Sequence, residues 1–227
     1  AANTTGDQNT AVGANSLDSN STGVGNTAIG YDSLTSNSTA DYNTGLGFYA
    51  LRENTTGSSN VATGFRALRY NTTGTRNTAV GYNACLVQTS GNRNTGIGFQ
   101  ALSQNATGGY NTAVGDAALE NTTGSYNVAV GQAALAQLTS GSQNNAIGYE
   151  ALDAITTNTQ CNAFGTFALT SYTSASGKCN AFGQQALQDC TTGGSNSAFG
   201  HDVLRECTTG DNNSAFGHAA LQNSTTA

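Results

Sequence analysis

The chain has 227 residues, a net charge of −6 and only 9% charged side chains, far below the usual quarter or so. With one Lys and six Arg scattered along it, it has no basic stripe, which argues against nucleic acid or an anionic membrane surface as partner. No apolar run reaches membrane-spanning length, no segment reads as a signal peptide, and Pro, Met and Trp are absent.

A block close to G-x-x-A-L-x-x-N-T-T-G-x-x-N-T-A-V recurs from end to end. Its pivot glycines run from Gly13, Gly30 and Gly47 to Gly217, at steps of 17 with one of 16 before Gly131 and one of 18 before Gly183. A period this short and regular predicts a stacked array rather than a folded ball. The expected architecture is an all-β parallel β-solenoid, or β-roll, of thirteen rungs, one array over residues 1–227. Proline is absent because a rung inside a stack gives backbone N–H groups to its neighbour.

Within each rung the first expected element is a short strand around N-T-A-V, ending at the pivot. Just before the pivot lies an apolar column: Val12, Ile29, Leu46, Val80, Ile97, Val114, Val130, Ile147, Phe164, Phe182, Phe199 and Phe216, broken only by Thr63. Two before the pivot sits only Ala or Gly, such as Ala28 and Gly45. A place that admits nothing beyond a methyl faces close-packed backbone: either the opposite wall of a narrow roll or a neighbouring chain on a symmetry axis. Four after the pivot sits Leu in twelve of thirteen rungs, Cys85 being the exception. That A-L segment predicts a second, weaker strand, and N-T-T-G a turn. Helix is excluded because the apolar stretches between glycines are too short, and a leucine-rich repeat needs a longer period. Burying one Leu and one Val or Ile gains about 1.5–3 kcal/mol each. Ordering a rung costs roughly 1–2 kcal/mol per residue, so a lone rung cannot stand and stacking is obligatory.

Asn occupies the place four before the pivot in eleven rungs: Asn9, Asn26, Asn43, Asn60, Asn77, Asn94, Asn111, Asn127, Asn144, Asn196 and Asn213. These form an expected structural ladder, each amide bonding its backbone and the Asn above and below.

The cores N-T-A-V-G, N-T-A-I-G, N-V-A-V-G and N-S-A-F-G resemble the repeats in the heads of trimeric autotransporter (YadA-like) adhesins, and also the Asn/Thr/Gly repeats of phage and large-virus tail fibres. The resemblance covers essentially the whole chain. It implies a homotrimer of parallel rolls, extracellular, at a cell surface or on a virion, that adheres to a receptor or glycan. It implies no catalytic residue, no cofactor and no metal, and no insertion into a membrane.

Five before the pivot the residue varies freely, which marks solvent and the place where a receptor or glycan would be read: Tyr42, Arg76, Arg93, Tyr110 and Tyr126 are the candidate binding residues. Just after the pivot, Tyr31, Phe48, Phe65, Tyr82 and Phe99 form an aromatic column whose last members are His201 and His218: a partly buried stack, or a carbohydrate-binding or pH-responsive strip. Cys161 and Cys179 share one rung place and Cys190 and Cys207 another. Stacked strands bring equivalent Cα atoms within disulfide range, so either disulfides or free buried thiols are expected, with Cys179 and Cys190 a further pair across a turn. Thr-Thr pairs in the turns, such as Thr55-Thr56 and Thr72-Thr73, raise ice binding as an alternative function. Asn54-Thr55-Thr56 and Asn71-Thr72-Thr73 read as glycosylation sequons. The first residue, Ala1, and the uncapped turn segments at both ends lead to two expectations: a slice of a longer fibre, or a subunit that stacks head to tail into a filament. An enzyme is not expected, because the carboxylates are dispersed.

Overall fold

The computed structural model describes residues 4–174 and 178–225. The terminal turn segments, Asn3–Gly6 and Ser224–Ala227, fall partly outside them. The chain forms two compact units, Ala1–Asn111 and Thr112–Ala227, each an all-β parallel solenoid without helices among the described residues.

The first unit carries β1 (Thr10–Val12), β2 (Thr27–Ile29), β3 (Thr44–Leu46), β4 (Val61–Thr63), β5 (Thr78–Val80) and β6 (Thr95–Ile97). The second carries β7 (Thr112–Val114), β8 (Val128–Val130), β9 (Asn145–Ile147), β10 (Asn162–Phe164), β11 (Asn180–Phe182), β12 (Ser197–Phe199) and β13 (Ser214–Phe216). Within each unit successive strands pair in parallel and in register, like over like: Thr27 on Thr44, and Ala198 on Ala215. The irregular steps do not disturb this. Thr112 pairs with Val128 and Asn162 with Asn180, so the lost and the added residue fall between strands.

Side chains alternate along these strands, and the alternation fixes what is inside. The Asn four before the pivot and the Ala two before it point inward: Asn43, Ala28 and Ala79 are fully buried. The small inward residue therefore meets the opposite wall of the roll. A Cβ on Gly45 would lie 2.6 Å from Ser33 Oγ and 3.3 Å from the Ala50 carbonyl oxygen. The Val/Ile/Phe column points outward, which corrects the expectation that it helps fill the core. Val12, Ile29, Leu46, Val80 and Ile97 are all exposed. The core is instead the Leu column with the Ala preceding it, Leu34, Leu51, Leu68, Ala50 and Ala67, together with the inward Ala.

The A-L segment is not a strand, a second correction. Residues two and four after the pivot take left-handed backbone: Tyr49 has φ 61° and Leu51 φ 52°, and the same pair of places repeats from rung to rung. The segment coils tightly yet still bonds along the stack, Tyr49 N donating to Tyr31 O and Leu51 N to Ala67 O, each at 3.0 Å. A seventeen-residue circuit must turn sharply more than once. Alternating handedness does this without losing the axial bonds, and the stack holds Leu in a conformation that costs roughly 1–2 kcal/mol in isolation.

Candidate functional site

Two polar ladders run through the interior, and only one is the anticipated one. In the expected ladder, Asn60 N and Nδ2 donate to Asn43 Oδ1 (2.9 and 3.2 Å), and Asn77 N and Nδ2 donate to Asn60 Oδ1 (3.0 and 3.1 Å). Asn26, Asn94 and Asn111 in the first unit, and Asn127 with Asn144 and Asn196 with Asn213 in the second, make the same backbone bond. Asn9 begins the column.

The second ladder stands seven after the pivot: Asn20, Asn37, Asn54, Asn71, Gln88 and Asn105, all fully buried. Both ladders converge on one carbonyl per rung. Asn43 Nδ2 and Asn54 Nδ2 each donate to Gly57 O at 2.9 Å. Asn54 and Asn71 are thus interior, and Asn71 Nδ2 also donates to Asn54 Oδ1 at 2.7 Å. These two sequons are therefore closed to glycosylation in the folded chain, a correction to reading them as surface turns. The signal was in the sequence: Asn20, Asn37, Asn54, Asn71 and Asn105 share one rung place, with Gln88 the one exception among those six rungs. In the second unit this place becomes Thr122, Leu138, Ile155, Tyr172, Cys190 and Cys207, all fully buried.

Cys161, Cys179, Cys190 and Cys207 take over ladder places, while Cys85 stands in the Leu column. All five are free and buried, and no disulfide joins Cys161, Cys179, Cys190 or Cys207 in the structure. Each sulfur has hydrogen-bonding work instead. Cys179 Sγ and Cys190 Sγ both lie 3.4 Å from Gly193 O, the place where two Asn amides converge in other rungs. Cys161 Sγ accepts the Cys179 backbone N–H and Cys179 Sγ that of Asn196. A thiol, one donor and one acceptor, is the smallest replacement for the amide. A bond from the Cys190 thiol, with the Asn196 N–H, brings Cys179 down to about 7 against its burial. The same bond pushes Cys190 up. Burial alone pushes Cys85 up to about 12.

Turn threonines are structural on one side. Thr55 Oγ1 donates to Thr72 O (3.0 Å) and Thr72 Oγ1 to Thr89 O (3.1 Å), so these hydroxyls are spent within the stack. The second threonine of each pair, Thr56 and Thr73, is exposed, while the strand threonines Thr27, Thr44, Thr78 and Thr95 are half-buried and face outward beside Ile29, Leu46, Val80 and Ile97.

On the outer surface, the residues five before the pivot are exposed, as expected of a variable place: Tyr42, Arg76, Arg93 and Tyr110 in the first unit and Tyr126 in the second. They take left-handed backbone, φ 57° to 61°. Arg93 Nη1 donates to Tyr110 OH at 2.6 Å, with its guanidinium 5.1 Å from that ring's centroid. The column after the pivot stacks: Tyr31, Phe48, Phe65, Tyr82 and Phe99 have centroid spacings of 5.1, 5.6, 5.1 and 5.2 Å. Its rings are more open than a partly buried stack implies, Phe99 being 48% exposed. In the second unit Phe164, Phe182, Phe199 and Phe216 stack at 4.7 to 4.9 Å.

His201 and His218 stack at 5.2 Å with an interplanar angle of 3°. With Asp202 they offer three donor atoms within 4.8 Å of one another. Imidazole lone pairs lie in the ring plane, so two parallel, displaced rings do not aim at a common point, and the trio as it stands is a close His201 Nδ1–Asp202 Oδ2 contact (3.0 Å) beside a stacked ring. Sequence reasoning missed a third feature, the arginines on the flank of the aromatic column: Arg52 and Arg69 share the place five after the pivot, but Arg66 stands at another place and only the fold brings the three to one set of rings. No family model matches this chain, and neither curated proteins nor solved structures give a match.

Proposed function

We propose that the chain is a structural and adhesive segment of an extracellular or virion fibre. Copies pack as a homotrimer through the outward aliphatic column, and the aromatic column beside it stays open to a receptor or glycan. The observation that carries this reading is the pair of exposed apolar columns in the first unit. Val12, Ile29, Leu46, Val80 and Ile97 stand beside Tyr31, Phe48, Tyr82 and Phe99, all exposed. Soluble chains rarely leave apolar columns of this extent open unless a partner covers them. The neutral polar ladders inside serve the same end, since they hold rungs in register without charge repulsion. No role in catalysis is assigned to any side chain. The test is the native mass of the chain in solution. Three copies per particle is the expected result; a monomeric mass at micromolar protein overturns the trimer.

A second reading, ice binding, is favoured by a specific observation. The strand threonines Thr27, Thr44, Thr78 and Thr95 stand half-buried beside aliphatic residues on one outward sheet face, in columns that exchange Thr and aliphatic only at Val61 and Thr63, and Thr56 and Thr73 add exposed hydroxyls in the turns. Thermal hysteresis measured on micromolar protein decides it: a freezing gap that disappears in Thr78→Lys supports ice binding, and no gap in the unaltered chain removes it.

A further inference from the structure

In the first unit the aromatic column is flanked by three arginines, each lying on a ring. Arg66 sits over Phe65 at 4.7 Å, Arg69 over Tyr49 at 4.9 Å and over Tyr70 at 4.8 Å, and Arg52 over Tyr49 at 5.0 Å. Tyr49 joins this group to the column, its ring 4.1 Å from that of Phe48. Arg52 is neutralised by Asp32 (3.2 Å) and Glu53 (2.7 Å). Among the described residues Arg66 and Arg69 form no ion pair, and their buried Nε atoms have no hydrogen-bond partner. The chain has only seven basic residues and a net charge of −6. Three guanidiniums against the two carboxylates Asp32 and Glu53 leave this patch with one net positive charge, a local reversal of the sign of the chain.

We propose that this patch binds an acidic polysaccharide, a glycan chain bearing carboxylate or sulfate groups. Its sugar C–H groups lie along the outward edges of the stacked aromatic column, and its acid groups pair with Arg66 and Arg69. The proposal rests on the attachment reading above and names its ligand class. Three properties of the patch fit this class together. The stacked rings cover one another's faces and turn their edges outward, an apolar strip that repeats every 5.1 to 5.6 Å along the stack and can take the C–H groups of a polymer of repeating units. A guanidinium whose face is occupied by a ring keeps its N–H edge for a planar, two-point bond to a carboxylate or sulfate. Stacking also fixes the guanidinium in place, so little side-chain freedom is lost on binding. A neutral glycan would leave both cations unpaired. A nucleic acid also stacks on aromatic rings, but it needs a groove that neutralises many phosphates, and two cations do not make one.

The test is affinity electrophoresis of the full chain through gels containing polygalacturonate, dextran sulfate, neutral dextran or oligothymidylate. Retardation is expected in at least one of the two acidic glycans, and which one identifies the anion as carboxylate or sulfate. It is expected to vanish at about 1 M salt, where the screening length falls to roughly 3 Å. Arg66→Gln and Arg69→Gln should each weaken binding about tenfold, the loss of one charge-assisted pair. Arg205→Gln, which removes the same charge from the second unit, should leave it unchanged. Gln already stands at the equivalent rung places, Gln100 for Arg66 and Gln188 for Arg69 and Arg205, so the three variants fold alike and an unchanged melting curve verifies it. No retardation in either acidic glycan overturns the proposal. So does equal retardation in neutral dextran, an equal effect of Arg205→Gln, or binding of oligothymidylate with the same dependence on Arg66. A monomeric native mass leaves this result standing, so the failure of the trimer and of the glycan site are distinguishable.

Discussion

Gly81→Ala is expected to destabilise the first unit by about 3 kcal/mol or more, because it combines forbidden backbone with a clash that has no soft side. Gly81 has φ +135°, a region that only glycine occupies readily, and a Cβ built there lies 2.3 Å from the carbonyl oxygen and 2.8 Å from the carbonyl carbon of Gly98. Those atoms are backbone of the next rung, and Gly98 is itself fixed by its N–H bond to Val80 O at 2.8 Å. The neighbouring rung must move, and moving it breaks ladder bonds on both sides. Gly217 provides an internal control. Its φ is +116° but nothing lies within 4 Å of its Cβ position. Gly217→Ala therefore carries only the conformational part, about 1 kcal/mol. Denaturant midpoints followed by circular dichroism compare the two. Equal midpoints for Gly81→Ala and Gly217→Ala would show that rung-on-rung contact at the pivot does not limit the side chain.

Asn60→Ala should cost as much, about 3–5 kcal/mol, from unmade hydrogen bonds plus a cavity. Asn60 is fully buried and its amide serves three neighbours. Nδ2 donates to Gly74 O (2.8 Å) and Asn43 Oδ1 (3.2 Å), while Oδ1 accepts from Asn77 N (3.0 Å) and Nδ2 (3.1 Å). Truncation strands the backbone N–H of Asn77, a fully buried residue. Gly74 O keeps its bond from Asn71 Nδ2 at 3.0 Å, so the loss falls on the ladder and not on the turn. Asn60→Cys should cost clearly less, because the chain uses that exchange itself: Cys161 and Cys179 hold the same rung place and their sulfurs accept the next backbone N–H. Unfolding curves for the three proteins measure the order. An alanine variant within about 1 kcal/mol of the parent, the worth of an ordinary solvent-exchanged bond, would refute a cooperative interior ladder.

Much of this protein could be read from its sequence, because a repeat turns one local decision into thirteen. The seventeen-residue step of the pivot glycines determined that like residues stack, that the stack is parallel β and in register, and that Asn43, Asn60 and Asn77 form a ladder. Composition determined that the ladders are neutral. Tertiary structure alone decided which way each column points. Val80 and Leu68 are equally apolar, yet one is exposed and the other buried, because strand alternation carries inward from Asn77 through Ala79 and leaves Val80 outside. The left-handed backbone at Tyr49 and Leu51 has no sequence signal, since neither residue favours it alone and only the axial bonds of the stack hold it there. The second ladder hid in N-T-T-G, which reads as a turn until the roll closes and Asn54 meets Asn43 at Gly57. Arg66 and Arg69 become a site only when the aromatic column forms beside them, because a guanidinium is placed by the ring it rests on and not by its distance along the chain.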